Sequence, residues 1–203
     1  MSIKLVGWTA ALALAVGASS SSAQVPAIDF TLFPRAGLYQ SLGNLAEVNG
    51  DEIKLESGPA FGASAELALM FVPVSFRVGF DYVLPTGSTT NEVSSTDEDN
   101  TILMVTGDIV LRLAPGVSPI QAYLMAGGGT KRYEFKNMPN VFESSQSSFT
   151  GHLGAGLSLK LGPLGIGAEV SDYISSFKPE FSTGDSKLQN DVFLMAGLRI
   201  AIF

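Results

Sequence analysis

The feature that most constrains this chain is an alternation of apolar and polar side chains that returns in eight segments. Successive side chains of a β-strand point to opposite faces, so a period of two predicts strands and not helices. In the third segment, for example, Val74, Phe76 and Val78 alternate with Ser75 and Arg77. The segments span residues 28–40, 59–71, 74–84, 101–113, 120–133, 149–161, 164–175 and 192–203. The sequence therefore predicts an all-β domain.

The connections between these segments alternate in length. The short ones lie at residues 72–73, 114–118 and 162–163, and the long ones at 41–57, 85–100, 134–148 and 176–190. The short connections contain Pro or Gly, as tight turns do, and the long ones are polar. Short periplasmic turns at one rim and long external loops at the other are typical of transmembrane barrels. We therefore predict an eight-stranded antiparallel up-and-down transmembrane β-barrel.

One face of the alternating segments is apolar, and the other carries charge. In the last segment Val192, Leu194 and Leu198 alternate with a face that holds Asp191 and Arg199. A Lys or Arg that faced lipid at mid-bilayer would cost roughly 2–4 kcal/mol, so we expect the apolar face to contact lipid and the charged face to line the lumen. The alternative is a soluble exported barrel with its apolar side inward, which would bind a small apolar ligand as lipocalins do.

The amino-terminal residues have the organisation of a secretory signal. Lys4 precedes an apolar stretch at residues 5–18, and Ala23 ends a short run of small residues. The apolar stretch is shorter than the roughly 20 residues that a membrane helix needs. We expect residues 1–23 to form a signal peptide and residues 24–203 to form the barrel domain.

Composition argues against several other classes of protein. The chain has no Cys, which excludes a disulfide-stabilised secreted scaffold. Its formal net charge of −7 argues against nucleic acid as a partner, because phosphate binding needs clustered Lys and Arg. His152 is the only His, so neither a multi-histidine nor a thiolate metal site can form. We therefore predict no metal and no cofactor.

The whole pattern, with a final segment that ends at the aromatic Phe203, resembles small bacterial outer-membrane β-barrel proteins of the OmpA/OmpX-like, opacity-type class. The resemblance covers residues 27–203 and rests on pattern and topology. It implies export through the periplasm to the outer membrane, contact with outer-membrane lipid and lipopolysaccharide, and recognition of the C-terminal strand by the barrel assembly machinery. It also implies a monomer that serves envelope structure or surface interaction. In that class the terminal aromatic usually faces lipid. Phe203 instead lies an even number of residues from Arg199, so the alternation places it on the charged face that is predicted to line the lumen.

Parity also assigns the residues that face the lumen. The predicted lumen charge network consists of Arg35, Glu66, Arg77, Asp81, Asp108, Arg112, His152, Lys160, Glu169 and Arg199, with Tyr39, Tyr123 and Tyr173 on the same side. Buried charges must be paired, and an eight-stranded barrel is only wide enough to hold its own side chains. We therefore predict a mostly filled lumen.

Glycines of inward parity leave an alternative open. They are Gly127, Gly129, Gly154, Gly156, Gly165, Gly167 and Gly197. Such glycines make room for bulky side chains opposite, for example Phe33 and Arg35, or they border a narrow path for small solutes. Small barrels usually alternate small and large side chains to fill the interior, so the filled lumen is the first prediction and the channel the alternative.

The sequence offers no catalytic constellation. Lipid A deacylases of similar size carry a His and a Ser two residues apart on one strand face, and here Gly154 takes the serine position after His152. Ser158 and Thr150 share the face of His152, and Glu169 is a possible neighbour, but a function must be argued from a formed site. We therefore predict a protein without enzymatic activity.

The long loops hold the charges that face outside. Their acidic residues are Glu47, Asp51, Glu52, Glu92, Asp97, Glu98, Asp99, Glu143, Glu180 and Asp185. Binding residues concentrate on loops that a rigid scaffold holds, so any specific surface interaction is expected there. Lys131, Arg132 and Lys136 form a basic patch near the outer rim and are predicted to contact lipopolysaccharide phosphates.

Overall fold

The computed structural model describes ten stretches of the chain. They are residues 28–48, 51–55, 57–69, 72–84, 86–90, 93–99, 101–114, 118–134, 145–177 and 187–202. The predicted signal peptide and Phe203 lie outside them. Among the described residues, no helix is long and apolar enough to cross a membrane.

Eight long strands close into one antiparallel barrel. They are β1 (Ile28–Ser41), β4 (Gly58–Leu69), β5 (Val74–Val83), β8 (Thr101–Arg112), β9 (Ile120–Glu134), β10 (Ser145–Leu161), β11 (Leu164–Phe177) and β12 (Lys187–Ala201). Around the barrel their order is β1-β12-β11-β10-β9-β8-β5-β4. Each of the eight predicted segments is one of these strands. Pairing of the first strand with the last, from Thr31↔Ala201 to Ser41↔Asp191, removes the exposed edges that an open sheet would present.

The short connection between β10 and β11 forms the turn that the sequence predicts, whereas residues 115–117 of the predicted connection at 114–118 lie outside the described residues. Between β10 and β11 the two turn residues are Gly162 and Pro163. Gly162 has a φ of 77°, in the left-handed region that glycine adopts without steric cost. This turn joins two strands that are paired from Leu161↔Leu164 onward, and so fixes their register.

Two of the long connections are more regular than the sequence indicates. The first contains β2 (Asn44–Val48) and β3 (Asp51–Leu55), and the second contains β6 (Thr86–Thr90) and β7 (Val93–Asp99). These four short strands form a second antiparallel sheet in the order β2-β3-β6-β7, which we call the outer sheet. The sequence predicted long polar connections at these places and did not predict that strands would form in them. Extended backbone needs hydrogen-bond partners even where side chains are polar, and the two connections supply them to each other.

Side-chain facing in the barrel follows the predicted parity. On β12, Leu194 and Leu198 are 59% and 55% exposed, whereas Phe193 and Met195 on the opposite face are 1% and 2% exposed. On β5, Phe76 is 64% exposed while Arg77 is 2% exposed. The outer wall is therefore aliphatic and aromatic, and the interior holds the charges. A lipocalin-like barrel requires the opposite arrangement, so the facing decides against that alternative.

Candidate functional site: the charged interior

Glu66 on β4 is the centre of charge pairing in the half of the barrel that lies nearer the short turns. The Nη2 atoms of Arg77, Arg112 and Arg199 each donate to its carboxylate at 2.8 Å. Ser75 Oγ donates a further hydrogen bond at 2.7 Å. Glu66 and Arg77 are direct cross-strand partners on β4 and β5, whereas Arg112 and Arg199 reach it from β8 and β12. One carboxylate thus joins four strands.

Glu169 and Asp81 continue the pairing toward the middle of the barrel. Glu169 accepts hydrogen bonds from Arg35 Nη1 and Tyr123 Oη, both at 2.6 Å, and from Arg77. Asp81 accepts from Arg35 Nε at 3.1 Å and from Arg35 Nη2 at 2.8 Å. Tyr173 Oη donates to the same Asp81 carboxylate at 2.7 Å.

These contacts form one connected cluster across the barrel. Its charged members are Arg35, Glu66, Arg77, Asp81, Glu169, Arg112 and Arg199, which we call the central network. Four guanidinium groups meet three carboxylates in it, so the central network carries one surplus positive charge. Arginine suits this role because its planar fork of donors serves several carboxylates at once.

A pair formed by His152 and Asp108 lies beside the central network. His152 Nδ1 is 2.7 Å from Asp108 Oδ1, and Thr106 Oγ1 donates to the other oxygen of Asp108 at 3.2 Å. The imidazole stacks on Tyr173, with ring centroids 4.2 Å apart and planes 11° apart. Because Tyr173 also binds Asp81, this pair is linked to the central network, and β10 joins the other strands through it.

A third cluster fills the half of the barrel that lies nearer the long loops. Lys131 on β9 pairs with Asp191 on β12, and both residues are fully buried. Tyr39 Oη donates to Asp191 at 2.8 Å, and Tyr133 Oη donates to Gln189 at 2.6 Å. The sequence analysis did not select Asp191 or Tyr133 for the network, although the alternation places both on the inward face, and it placed Gln189 in a predicted loop.

Lys131 does not belong to the predicted basic patch. Lys131 is 0% exposed and paired with Asp191 inside the barrel, so including it in a lipopolysaccharide-binding surface was wrong. The physical reason is alternation, because neighbouring residues of a strand face opposite ways and Lys131 has the inward parity of Tyr133. The Arg132 side chain is 51% exposed and lies 3.3 Å from Glu134. Lys136 lies outside the described residues.

Three of the predicted inward glycines, Gly154, Gly156 and Gly167, lie against large side chains, whereas Gly127, Gly129, Gly165 and Gly197 lie against the backbone of a neighbouring strand. A Cβ on Gly156 would lie 2.3 Å from the ring of Tyr123, and one on Gly154 would lie 2.5 Å from the methyl group of Met125. A Cβ on Gly167 would lie 3.1 Å from the Phe33 ring. These contacts are too close for an added side chain, so the space beside these glycines is already occupied.

The remaining predicted residue, Lys160, is half-buried near the short-turn rim. It lines a pocket of about 70 Å³ together with Arg112 and Arg199. Thr150, on the face of His152, donates to the backbone carbonyl oxygens of Gly151 and Ile174 at 3.2 and 3.3 Å, and not to the imidazole. Within the described stretches, no group of three or more His, Cys, Asp or Glu side chains is placed to hold a metal ion.

A closed eight-stranded barrel with an apolar wall and a charged interior is the architecture of outer-membrane proteins. The family model described as "Outer membrane protein beta-barrel domain" matches residues 9–199 of the chain. The chain belongs to this family. It is therefore a protein of the bacterial outer membrane. No curated protein sequence matches it.

Solved structures show the same fold for this outer-membrane barrel. Neisserial surface protein A is 17% identical with a TM-score of 0.62, over 84% of this chain and 96% of that one. OprG from Pseudomonas aeruginosa is 16% identical with a TM-score of 0.55, over 87% and 96% of the two chains. A major outer membrane protein from Thermus thermophilus is 12% identical with a TM-score of 0.54, over 87% and 100%. At these identities the likeness concerns the fold alone.

Proposed function

We propose that this protein is a closed, non-enzymatic barrel that stabilises the envelope and supports a surface for external interactions. The observation that carries the proposal is the connectivity of the interior. Hydrogen bonds and one ring stack join side chains from all eight barrel strands into the central network and the residues bound to it. Such a plug opposes both strand separation and solute flow.

A planar-bilayer recording tests the closed state. We expect a flat baseline for the wild-type protein across the accessible voltage range. The double variant Arg35→Ala with Asp81→Ala removes one cation and one anion that bind each other at the centre, and we expect it to show discrete conductance steps. A heat-dependent mobility shift on a gel would confirm that both proteins are folded. Steady conductance of the wild-type protein would support the small-solute channel instead.

The outer sheet is the surface that we propose for interaction. Its strands β2, β3 and β7 carry six acidic residues and β3 carries one Lys. The acids are Glu47, Asp51, Glu52, Asp97, Glu98 and Asp99. Because like charges on one sheet attract cationic groups over about a Debye length, a basic partner is the class that this composition favours.

Binding of fluorescent polylysine to intact cells tests the interaction surface. We expect a variant with all six outer-sheet acids changed to their amides to bind several-fold less polylysine than the wild type. The matched control changes Glu143, Glu180 and Asp185, which lie in the other two long connections, and should retain most of the binding. Equal loss in both variants would show that the outer sheet is not a distinct surface.

Arg132 is the described residue that we propose for contact with lipopolysaccharide phosphate, since its side chain is half exposed on β9. Lys136 follows in the long connection after β9. Changing both to Gln should lower the amount of lipopolysaccharide that co-purifies with the barrel. Unchanged lipopolysaccharide in that variant would remove this contact from the proposal.

A further inference from the structure

The pocket at the short-turn rim has the composition of an anion site. Its polar lining consists of Asp29, Thr31, Arg112, Gln121, Lys160 and Arg199. Three of these side chains are cationic and one is anionic. The exposed residues Gly162, Pro163 and Ala201 also line the pocket, so it opens at the rim. This is the periplasmic rim, because the short turns of outer-membrane barrels lie there.

The two arginines of this pocket share a single carboxylate inside the barrel. Arg112 and Arg199 each give one Nη2 to Glu66, which Arg77 also shares. The surplus positive charge of the central network therefore lies at its periplasmic end. A desolvated surplus charge is stabilised by a counter-charge, and the pocket is the place where one can reach it from outside.

Arg199 is held in place and has donor capacity left. Its guanidinium carbon lies 5.3 Å from the Phe33 ring centroid and 5.5 Å from that of Tyr123, so two aromatic rings orient it. Among the described residues, none accepts a hydrogen bond from its buried Nη1 atom. A guanidinium has five N–H donors and is matched by geometry to the oxygens of phosphate and carboxylate groups.

We infer that this pocket binds a phosphate group at the periplasmic mouth of the barrel. Two guanidinium groups and one ammonium group line it, while the Thr31 hydroxyl donates to Asp29, the one anion of the lining, at 3.2 Å. Several separate donors suit the several oxygens of a phosphate better than the two of a carboxylate. Leu159 and Leu164 lie at its apolar edge, and Leu164 is 55% exposed on the lipid-facing wall. Both free phosphate and the headgroup of a phospholipid carry this chemistry.

The first test is calorimetric titration of the purified protein in neutral detergent with inorganic phosphate, against sodium chloride of equal ionic strength. Lys160→Gln removes a cation that is less embedded than the arginines, and we expect it to weaken phosphate binding about tenfold. Lys54→Gln is the matched control, since it removes one cation beyond the opposite rim, and it should bind as the wild type does. A heat-mobility shift confirms folding. Equal phosphate affinity in Lys160→Gln and the wild type would overturn the site.

The second test separates the two sources of phosphate. Native mass spectrometry would compare phosphatidylglycerol with a galactolipid that has the same acyl chains but no phosphate. Preferential retention of phosphatidylglycerol, lost in Lys160→Gln, assigns the site to a lipid headgroup. Binding of inorganic phosphate without this preference assigns it to a free anion. If the wild type binds neither inorganic phosphate nor phosphatidylglycerol above the galactolipid, the inference is wrong.

Discussion

Neutralising Glu66 without changing its shape tests the central network most sharply. Glu66 is 2% exposed and accepts hydrogen bonds from three guanidinium groups and from Ser75. In Glu66→Gln an amide that has only one accepting oxygen would replace the carboxylate. Arg77 keeps Glu169 as a partner, but Arg112 and Arg199 lose the carboxylate that the structure gives them.

The size of the effect follows from those contacts. Removing one partner of a buried ion pair costs about 3–5 kcal/mol, and each hydrogen bond to a charged group contributes about 1.5–3 kcal/mol. The side chains of Arg112 and Arg199 are 11% exposed, so water relieves part of the loss. We therefore expect the free energy of unfolding to fall by about 3–5 kcal/mol and not by the full sum of three bonds.

Urea titration in lipid vesicles, with the folded fraction read from the gel mobility shift, measures this change. Glu134→Gln is the matched control because it makes the same substitution in an exposed pair. The Glu134 and Arg132 side chains are 45% and 51% exposed and 3.3 Å apart, and such pairs contribute less than about 1 kcal/mol. If the two variants lost the same free energy to within about 1 kcal/mol, the central network would not stabilise the barrel as described.

Two further substitutions probe the interior. Gly156→Ala would place a Cβ 2.3 Å from the Tyr123 ring and should lower the free energy of unfolding by about 1–3 kcal/mol. Gly107→Ala is the control, because its Cβ would meet nothing within 4 Å, and it should leave the free energy of unfolding nearly unchanged. Equal effects in urea titration would contradict the tight packing beside Gly156. Lys131→Met should cost about 3–5 kcal/mol because it leaves Asp191 buried without its cation, and adding Asp191→Asn should restore part of the loss. Strictly additive losses in that double-mutant cycle would show that the two side chains are not coupled.

The sequence predicted the barrel well because a period of two is a local property. Strand β5 (Val74–Val83) differs from its predicted segment by one residue, and the facing of Phe76 and Arg77 follows directly from alternation. Lys131 was assigned to the wrong face because its closeness in sequence to Arg132 and Lys136 was given more weight than the alternation of side chains along the strand. The outer sheet was missed because β2, β3, β6 and β7 have 5, 5, 5 and 7 residues, too few for alternation to repeat as it does in the barrel strands.

The pairing pattern inside the barrel could not be read from the sequence. Glu66 and Arg77 are neighbours on adjacent strands, but Arg199 reaches Glu66 from β12, on the other side of β1. Which side chains meet across the lumen depends on the stagger of the closed barrel, and parity does not report it. Tyr123 and Gly156 are direct partners on β9 and β10, so their contact depends instead on the register of that pair of strands.

The orientation of the wall is the claim on which the rest depends, and single-tryptophan quenching tests it directly. Four matched variants, Phe76→Trp, Phe80→Trp, Phe33→Trp and Phe193→Trp, would be refolded into vesicles of brominated lipid, with Trp8 replaced by Phe in each. Phe76 and Phe80 are 64% and 46% exposed on the outer wall, whereas Phe33 and Phe193 are 2% and 1% exposed in the interior. We predict strong quenching by bromine at the first two positions and weak quenching at the last two. Equal quenching at all four, or stronger quenching at Phe33 and Phe193, would contradict a barrel with its apolar side toward lipid and its charges inside.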